Sequence, residues 1–216
     1  MKPLPDFNYE LEYWEKGYAV IGLDEVGRGC LAGPVTVGGV CFTEKPSNID
    51  YWLTMGIQDS KKLSPKKRSE MYDLLKDTCH FKTASTQVSD INAKGIVHSI
   101  YLAMAEIITA FKKSLSDRKI ILLIDGAPIS HIPYINDIER LSIVKGDGKC
   151  ISIAAASILA KVERDAHMDI LNEKHPAYCW NENKGYGTLK HRTAIREHGL
   201  TPYHRTLFTR NILKQR

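Results

Sequence analysis

Two adjacent carboxylates lie where an apolar segment of the chain meets a glycine-rich turn. Asp24 and Glu25 follow the apolar residues 19–23 and precede a Gly-Arg-Gly sequence at 27–29. An apolar run of this kind is typical of a buried strand, and carboxylates are costly to bury as bare anions. A divalent cation would supply the missing positive charge, and Arg28 could contact a phosphate. The pattern therefore indicates metal-assisted chemistry on a phosphodiester.

Two more acids occupy similar positions later in the chain. Asp125 follows the apolar residues 120–124, and Asp147 lies in the glycine-rich segment 146–148. Either acid alone is compatible with an ordinary turn, but ligands in open sheets gather at the ends of strands. Carboxylates without a histidine cluster suit Mg²⁺ better than zinc. The candidate metal ligands are therefore Asp24, Glu25, Asp125 and Asp147.

Asp165 is a rival for the fourth position among these acids. It lies in the segment 151–174, which the sequence predicts to be a long helix whose first half is rich in alanine and serine. Lys161 precedes it by four residues, a spacing at which opposite charges pair along a helix. An ion pair with Lys161 is the favoured interpretation of Asp165.

A mixed sheet is expected to position these acids. Apolar and β-branched segments predict strands at 18–23, 35–42, 81–88, 120–124 and 141–144. Helices are expected to begin after Ser64 and to cover 151–174, 189–198 and 204–214, with a loop at 175–188. The first part of the chain is predicted to contain mainly strands, and helices alternate with strands after it. This order predicts an α/β fold with helices on the faces of the sheet.

Composition limits the class of protein. At 216 residues the chain is long enough for one domain with a small helical appendage, which we expect at 1–188 and 189–216. No run of apolar residues is long enough to predict a membrane span, and the first residues lack the apolar core of a signal peptide. The five scattered cysteines favour neither a disulfide framework nor a zinc site, so we expect a cytoplasmic protein.

Positive charge is concentrated near the C-terminus. The whole chain carries a net charge of +5, and residues 184–216 contain eight Lys or Arg and one acid. A basic segment on a slightly acidic body is compatible with contact to a polyanion and equally with a solvated helix face.

Six different short motifs lie along the chain, at 22–29, 59–64, 123–126, 145–147, 152–162 and 184–188. In this order they resemble the signature of type 2 ribonucleases H, specifically bacterial ribonuclease HII, and the resemblance extends over residues 18–208. It implies a ribonuclease H-like fold and a monomer that requires Mg²⁺ or Mn²⁺. It also implies an endonuclease that hydrolyses the phosphodiester 5′ of a ribonucleotide, in RNA–DNA hybrids and in duplex DNA, leaving 5′-phosphate and 3′-hydroxyl ends.

The resemblance assigns the four candidate ligands as the catalytic metal-binding set. Two ions about 3.5–4 Å apart can clamp an in-line displacement at phosphorus. One would ionise the attacking water and the other would stabilise the leaving 3′-oxygen. The cellular roles implied are ribonucleotide excision and removal of RNA from hybrids.

The resemblance also implies residues that read the substrate. In the family, the glycine-arginine-glycine loop and a tyrosine between two glycines recognise the 2′-hydroxyl that distinguishes RNA from DNA. Here these are Gly27, Arg28, Gly29 and Tyr186, although Tyr186 could instead be a half-buried aromatic in a glycine turn. Further contacts to the nucleic acid are expected from Ser60, Lys61, Lys62, Lys161, Arg192, Arg196, His204 and Arg205. The chain departs from the family pattern at 178–183 and 206–208, which makes the contacts of the C-terminal segment the least secure.

Other functions remain open on the sequence alone. A ribonuclease HIII or a DNA junction resolvase could use the same scaffold, although the short lead before residue 18 and the presence of Arg28 favour ribonuclease HII. A non-catalytic module could bind nucleic acid through the basic segment alone. Four acids near phosphates would repel such a ligand unless a metal were present.

Overall fold

The computed structural model describes residues 4–115, 117–129, 131–133, 135 and 137–213. Its strands are β1 (Ala19–Val26), β2 (Val35–Phe42), β3 (His80–Thr86), β4 (Ile120–Asp125) and β5 (Glu139–Ile143). Within the described residues these strands form one sheet in the order β3-β2-β1-β4-β5. The first three pair antiparallel, whereas β4 runs parallel to both β1 and β5. The predicted mixed sheet is therefore confirmed.

Helices cover both faces of this sheet. They are α1 (Asn8–Trp14), α2 (Ile49–Thr54), α3 (Pro65–Thr78), α4 (Val88–Lys94), α5 (Ile96–Leu115), α6 (Ile151–Lys174), α7 (Trp180–Asn183), α8 (Leu189–His198) and α9 (Thr206–Leu213). The predicted helix at 151–174 is confirmed. The predicted loop at 175–188 is wrong in part, because it contains a helical turn at Pro176–Tyr178 and then α7. The helix predicted at 204–214 is α9, which begins at Thr206, and residue 214 lies outside the described residues.

Glycines in the sheet allow α6 to lie directly on it. A Cβ atom on Gly22 would lie 2.3 Å from the backbone carbonyl carbon of Ser152, and one on Gly38 would lie 2.2 Å from the carbonyl oxygen of Ala156. No real side chain tolerates such distances, so the alanine-rich part of α6 packs against bare strand backbone. This close packing fixes α6 relative to β1, the strand that carries the two adjacent acids.

The C-terminal helices share a hydrophobic core with the loop that follows β1. Leu31 and Ala32 of that loop pack in one cluster with Trp180, Ile195 and Ile212. The basic segment is therefore attached to the sheet beside the glycine-arginine-glycine turn. In the part of the chain that the structure describes, no helix is both long enough and apolar enough to cross a bilayer.

We expect Gly22→Ala to destabilise the fold strongly. The added methyl group would overlap the α6 backbone, which cannot move without displacing its other contacts with the sheet. Overpacking of this kind costs about 1–3 kcal/mol or more, and urea unfolding measures the loss. Gly148→Ala is the control, because a Cβ there meets nothing within 4 Å. Equal stability of the two variants would contradict the close packing of α6 on β1.

Candidate active site

Three carboxylates from separate segments meet at one edge of the sheet. One oxygen from each of Asp24, Asp125 and Asp147 lies within 4.8 Å of the other two. Asp24 is near the end of β1 and Asp125 ends β4, and the parallel pairing of these strands places their carboxyl ends together. Asp147 comes from the helical turn Gly146–Gly148 that follows β5. We call these three residues the acid trio.

Backbone contacts hold the acid trio in place. The Gly146 N–H donates a hydrogen bond of 2.6 Å to Oδ1 of Asp125. A Cβ on Gly146 would lie 2.6 Å from Cδ1 of Ile153 on α6, so a larger residue here would displace that side chain. The preceding Lys145 has a φ of 58°, in the left-handed region that non-glycine residues seldom occupy. The loop that carries Asp147 is thus tied both to β4 and to α6.

Burial makes the acid trio electrostatically unfavourable without a cation. Only 4% of Asp24 is exposed, and this burial raises its pKa well above the ordinary value, with further increases from Asp125, Glu25 and Asp147. The pKa of Asp147 is also raised, first by burial and then by Asp59 and Asp125. Three convergent carboxylates in a partly dry site are the kind of oxygen donors that a hard divalent cation binds. The residues present therefore fit a hard divalent metal ion.

Glu25 lies beside the acid trio but is not part of it. Glu25 is not among the acids whose oxygens lie within 4.8 Å of one another, but it lines the same cleft as Asp24 and Asp125. Its Oε1 accepts a hydrogen bond of 2.9 Å from Nη1 of Arg28. Burial raises the pKa of Glu25, and the Arg28 guanidinium opposes that increase. In this arrangement the expected fourth ligand is paired with an arginine, and its role toward a metal stays a prediction.

Asp165 forms the ion pair that its spacing indicated. Its Oδ1 lies 2.7 Å from Nζ of Lys161, and its Oδ2 lies 3.6 Å from Nη1 of Arg68. The interpretation of Asp165 as a partner of Lys161, rather than as a member of the acid cluster, is confirmed.

A cleft of about 470 Å³ opens in front of the acids. It brings together most of the residues that the sequence assigned to the site: Asp24, Glu25, Gly27, Arg28, Gly29, Ser60, Lys61, Asp125, Lys161 and Tyr186.

A second cleft of about 740 Å³ shares Asp125 and Lys61 with the first. It is also lined by Lys62, Asp147 and two lysines that the sequence analysis did not single out, Lys145 and Lys149. Their signal was present in the segment 145–149, where both lysines flank Asp147 closely. Polar and basic walls around the acids suit a phosphodiester chain.

The loop that carries Tyr186 is held by its backbone. Gly185 has a φ of 84°, and a Cβ there would lie 2.3 Å from the carbonyl oxygen of Ala32. The carbonyl of Gly185 accepts a hydrogen bond of 2.8 Å from the Leu31 N–H. The carbonyl of Lys184 accepts one of 2.9 Å from Nη1 of Arg164. Tyr186 is thus placed with 37% of its surface exposed at the cleft, and its ring centroid lies 6.0 Å from Nζ of Lys161.

Arg205 is not positioned to touch a substrate, which corrects the expectation from the sequence. Its side chain is fully buried, and its guanidinium donates hydrogen bonds to the carbonyls of Gly27, Arg28, Gly33 and Pro34 at 2.7–3.0 Å. Arg205 therefore stabilises the conformation of the glycine-arginine-glycine loop through its backbone carbonyls. Burial lowers its pKa to about 10, so it remains charged at neutral pH.

Two other expected contacts are also buried. Ser60 is 1% exposed, and its hydroxyl accepts a hydrogen bond of 2.8 Å from Ser157 on α6. His204 is 1% exposed inside the C-terminal core. His204 is therefore not placed to contact a phosphate, whereas Ser60 lines the cleft beside the acids and its contact with a phosphate stays a prediction. Arg192 is exposed on α8, Arg196 is half-buried there, and Lys61 and Lys62 are exposed at the clefts.

Arg164 is a residue that the sequence analysis missed. It is 1% exposed on α6, and it donates hydrogen bonds to the carbonyls of Pro34, Ala32 and Lys184 at 2.9–3.2 Å. Arg164 thereby joins the loop after β1 to the loop that carries Tyr186. Its position in a helix with alternating charges resembles an ordinary exposed residue, so the sequence held no signal of this role.

Comparison with known proteins is consistent with this site. The family model described as Ribonuclease HII matches residues 21–211. A Ribonuclease HII of Clostridioides difficile (strain 630) is 42% identical over 207 residues, which are 95% of this chain and 76% of that protein. One of Cytophaga hutchinsonii is 41% identical over 199 residues, 92% of this chain and 93% of that protein. The structure of a PCNA:RNase HII complex from Archaeoglobus fulgidus is similar with a TM-score of 0.69 and 25% identity, covering 87% of this chain and 93% of that one.

We expect the metal-free protein to become more stable when Asp24 is replaced by asparagine. A raised pKa in the folded state means that ionising Asp24 costs the folded protein free energy. This cost is absent below the unfolded pKa of 3.8 and grows as the pH rises from there to the folded pKa. In chelator at pH 8, D24N should therefore have a higher free energy of unfolding than the parent protein.

Urea unfolding at pH 4 and pH 8, both in chelator, measures this effect. The advantage of D24N should be larger at pH 8 than at pH 4. Asp90→Asn is the control, since Asp90 lies on the surface of α4, 3.8 Å from Lys94. A D24N protein that is no more stable than the parent at pH 8 would contradict the electrostatic cost assigned to the acid trio.

Proposed function

The chain belongs to the ribonuclease HII family, and from that premise we propose which bond it cuts and which residues do the work. Membership makes it a ribonuclease H, a divalent-metal-dependent endonuclease of the class that acts on RNA–DNA hybrids. The proposal is finer: the protein hydrolyses the phosphodiester on the 5′ side of a ribonucleotide, in hybrids and at single ribonucleotides in duplex DNA. The products are a 5′-phosphate and a 3′-hydroxyl.

The observation that carries this proposal is the convergence of the acid trio beside the glycine-arginine-glycine loop. Asp24, Asp125 and Asp147 would hold Mg²⁺ or Mn²⁺, with Glu25 as a further ligand. Bound there, a pair of such ions would lower the pKa of the attacking water and stabilise the charge on the leaving 3′-oxygen. The buried carboxylates are held in position by the sheet and by Gly146, so little reorganisation is needed when the cation enters.

Arg28 is the residue that would bind the scissile phosphate in this site. Its side chain is 59% exposed while it pairs with Glu25, whose side chain is 14% exposed. A scissile phosphate entering the cleft would compete for the guanidinium, because arginine binds phosphate and carboxylate with the same planar fork. Arg28 would then leave Glu25 free to bind the cation. Substrate binding and completion of the metal site are coupled in this proposal.

Recognition of the ribose falls to the glycine-arginine-glycine loop and Tyr186. Gly27 and Gly29 both line the cleft, and neither carries a side chain. The loop therefore presents bare backbone to the cleft, as close contact with a 2′-hydroxyl requires. Tyr186 lies at the same cleft with its ring near Lys161. Lys61 and Lys62 are exposed nearby and would contact phosphates without reading sequence.

A labelled DNA duplex with one embedded ribonucleotide tests the proposed reaction. In Mg²⁺ or Mn²⁺ the protein should nick the strand 5′ of the ribose, and excess chelator should stop the reaction. Asp125→Asn should lower the rate at least about 1,000-fold, the scale of losing an essential charged group, whereas the surface variant Asp90→Asn should cut normally. Cleavage of branched DNA alone, or binding without cutting, would contradict the proposal and favour a resolvase or a binding module.

Tyr186 provides a separate test of ribose recognition. Tyr186→Ala should lower kcat/KM about tenfold or more at a single ribonucleotide, since a lost contact worth about 1.4 kcal/mol changes a rate tenfold. Its melting temperature should change little because the side chain is partly exposed. Tyr51→Ala is the matched control, an exposed tyrosine on α2 that is 52% accessible. Unchanged kcat/KM in Y186A would remove Tyr186 from substrate recognition.

A further inference from the structure

Two buried histidines lie behind the loop that carries Tyr186. His191 on α8 is 0% exposed and His204, between α8 and α9, is 1% exposed. Their Nε2 atoms are 3.2 Å apart. Neither side chain reaches the cleft that holds the acids, so neither is a direct participant in the proposed reaction. Their hydrogen-bond partners nevertheless connect the C-terminal helices to Tyr186.

The partners of the two Nδ1 atoms determine where each proton lies. Nδ1 of His191 is 2.9 Å from the carbonyl oxygen of Tyr186. A carbonyl only accepts, so Nδ1 of His191 must carry the proton and donate. Nδ1 of His204 accepts a hydrogen bond of 2.9 Å from the backbone N–H of Thr201. A backbone N–H only donates, so Nδ1 of His204 must be bare.

The two Nε2 atoms then have complementary roles. Neutral His204 carries its proton on Nε2 and donates it to the bare Nε2 of His191. The same Nε2 of His191 also accepts a hydrogen bond of 3.0 Å from the indole N–H of Trp180, so its single in-plane lone pair is shared between two donors. Each ring nitrogen thus has a partner of the right polarity in one arrangement of protons: Nδ1–H on His191 and Nε2–H on His204. Burial lowers the pKa of both rings, that of His204 to about 4, which agrees with two neutral histidines.

We propose that His191 is a positioning residue for Tyr186, and that His204 and Trp180 fix the tautomer of His191 which this role requires. The inference rests on the proposed function, in which Tyr186 contacts the ribose. The inference gives the C-terminal helices a role other than binding DNA. His191 of α8 donates a hydrogen bond to the carbonyl of Tyr186. Arg164 donates one to the carbonyl of Lys184, two residues earlier in the chain.

Two isosteric substitutions separate this role from simple packing. In H191N the amide N–H can replace Nδ1–H and keep the bond to Tyr186, but the acceptor for Trp180 and His204 is lost. In H191Q the amide oxygen can replace Nε2 and keep that acceptor, but the donor to Tyr186 is lost. Stability and function should therefore respond in opposite ways. H191N should have the lower melting temperature, because two buried donors lose their partner.

The rate of nicking at a single ribonucleotide is the functional readout. H191Q should lower kcat/KM roughly fivefold to tenfold, the scale of one hydrogen bond, and H191N should lower it less. In the Tyr186→Ala background H191Q should cause no further loss, because the residue acts through that tyrosine. A loss that is fully additive with Y186A, or a larger functional loss in H191N than in H191Q, would overturn the positioning role.

Nitrogen-15 NMR of the histidine rings tests the network without any substrate. At pH 7 His191 should show the tautomer protonated on Nδ1 and His204 the one protonated on Nε2. The same tautomer in both rings, or rapid exchange between tautomers, would contradict the inference. Parent protein that fails to nick the duplex would overturn the proposed function, and the positioning role with it. Parent protein that nicks normally, with H191Q unaffected, would overturn the positioning role alone.

Discussion

Repulsion between three converging carboxylates, of which Asp24 and Asp147 are buried and Asp125 is half-buried, is the constraint on which the rest of this structure depends. Electrostatic repulsion favours separation of Asp24, Asp125 and Asp147, but the fold holds their backbones close together. Parallel pairing of β1 with β4 places two of them side by side, and the Gly146 N–H ties the third segment to Asp125. Close packing of α6 on Gly22 and Gly38 then closes the back of the site. The hydrophobic core offsets the cost of this arrangement, and a bound cation would remove it.

The basic residues around the cleft have two different roles. Arg164 and Arg205 are buried, and their guanidinium groups bind backbone carbonyls of the loops around the cleft. Arg28, Lys61 and Lys62 are exposed beside the acids, where a polyanion can reach them. The buried pair holds the loop that carries Arg28 and the loop that carries Tyr186. A count of basic residues alone does not separate the two tasks, because burial decides which of them a cation performs.

Much of the fold followed from local patterns, and some features did not. The apolar segment before Asp125 predicted both β4 and the position of the acid, because parallel strands are buried on both faces. The helices α1 and α2 were not predicted, since each is short and depends on tertiary contacts such as those of Phe7 and Trp52. The strand predicted at 81–88 ends at Thr86, and Gly95, with a φ of 84°, separates α4 from α5.

The candidate site could be predicted only as far as it depends on strand ends and glycine turns. Ser60 and Arg205 were expected to contact nucleic acid, yet the side chains of both are buried by contacts with residues distant in sequence. The bond from His191 to the carbonyl of Tyr186 is likewise invisible in sequence, because it depends on how α8 packs against the loop. Such contacts are properties of the three-dimensional packing rather than of any motif.

The most direct measurement of the central claim is an anomalous difference map from crystals soaked in Mn²⁺. The account predicts a manganese peak bounded by carboxylate oxygens of Asp24, Asp125 and Asp147. It also predicts that the peak disappears when the crystals are soaked in chelator. Manganese bound only elsewhere on the protein, or no peak between these three side chains at saturating Mn²⁺, would contradict it.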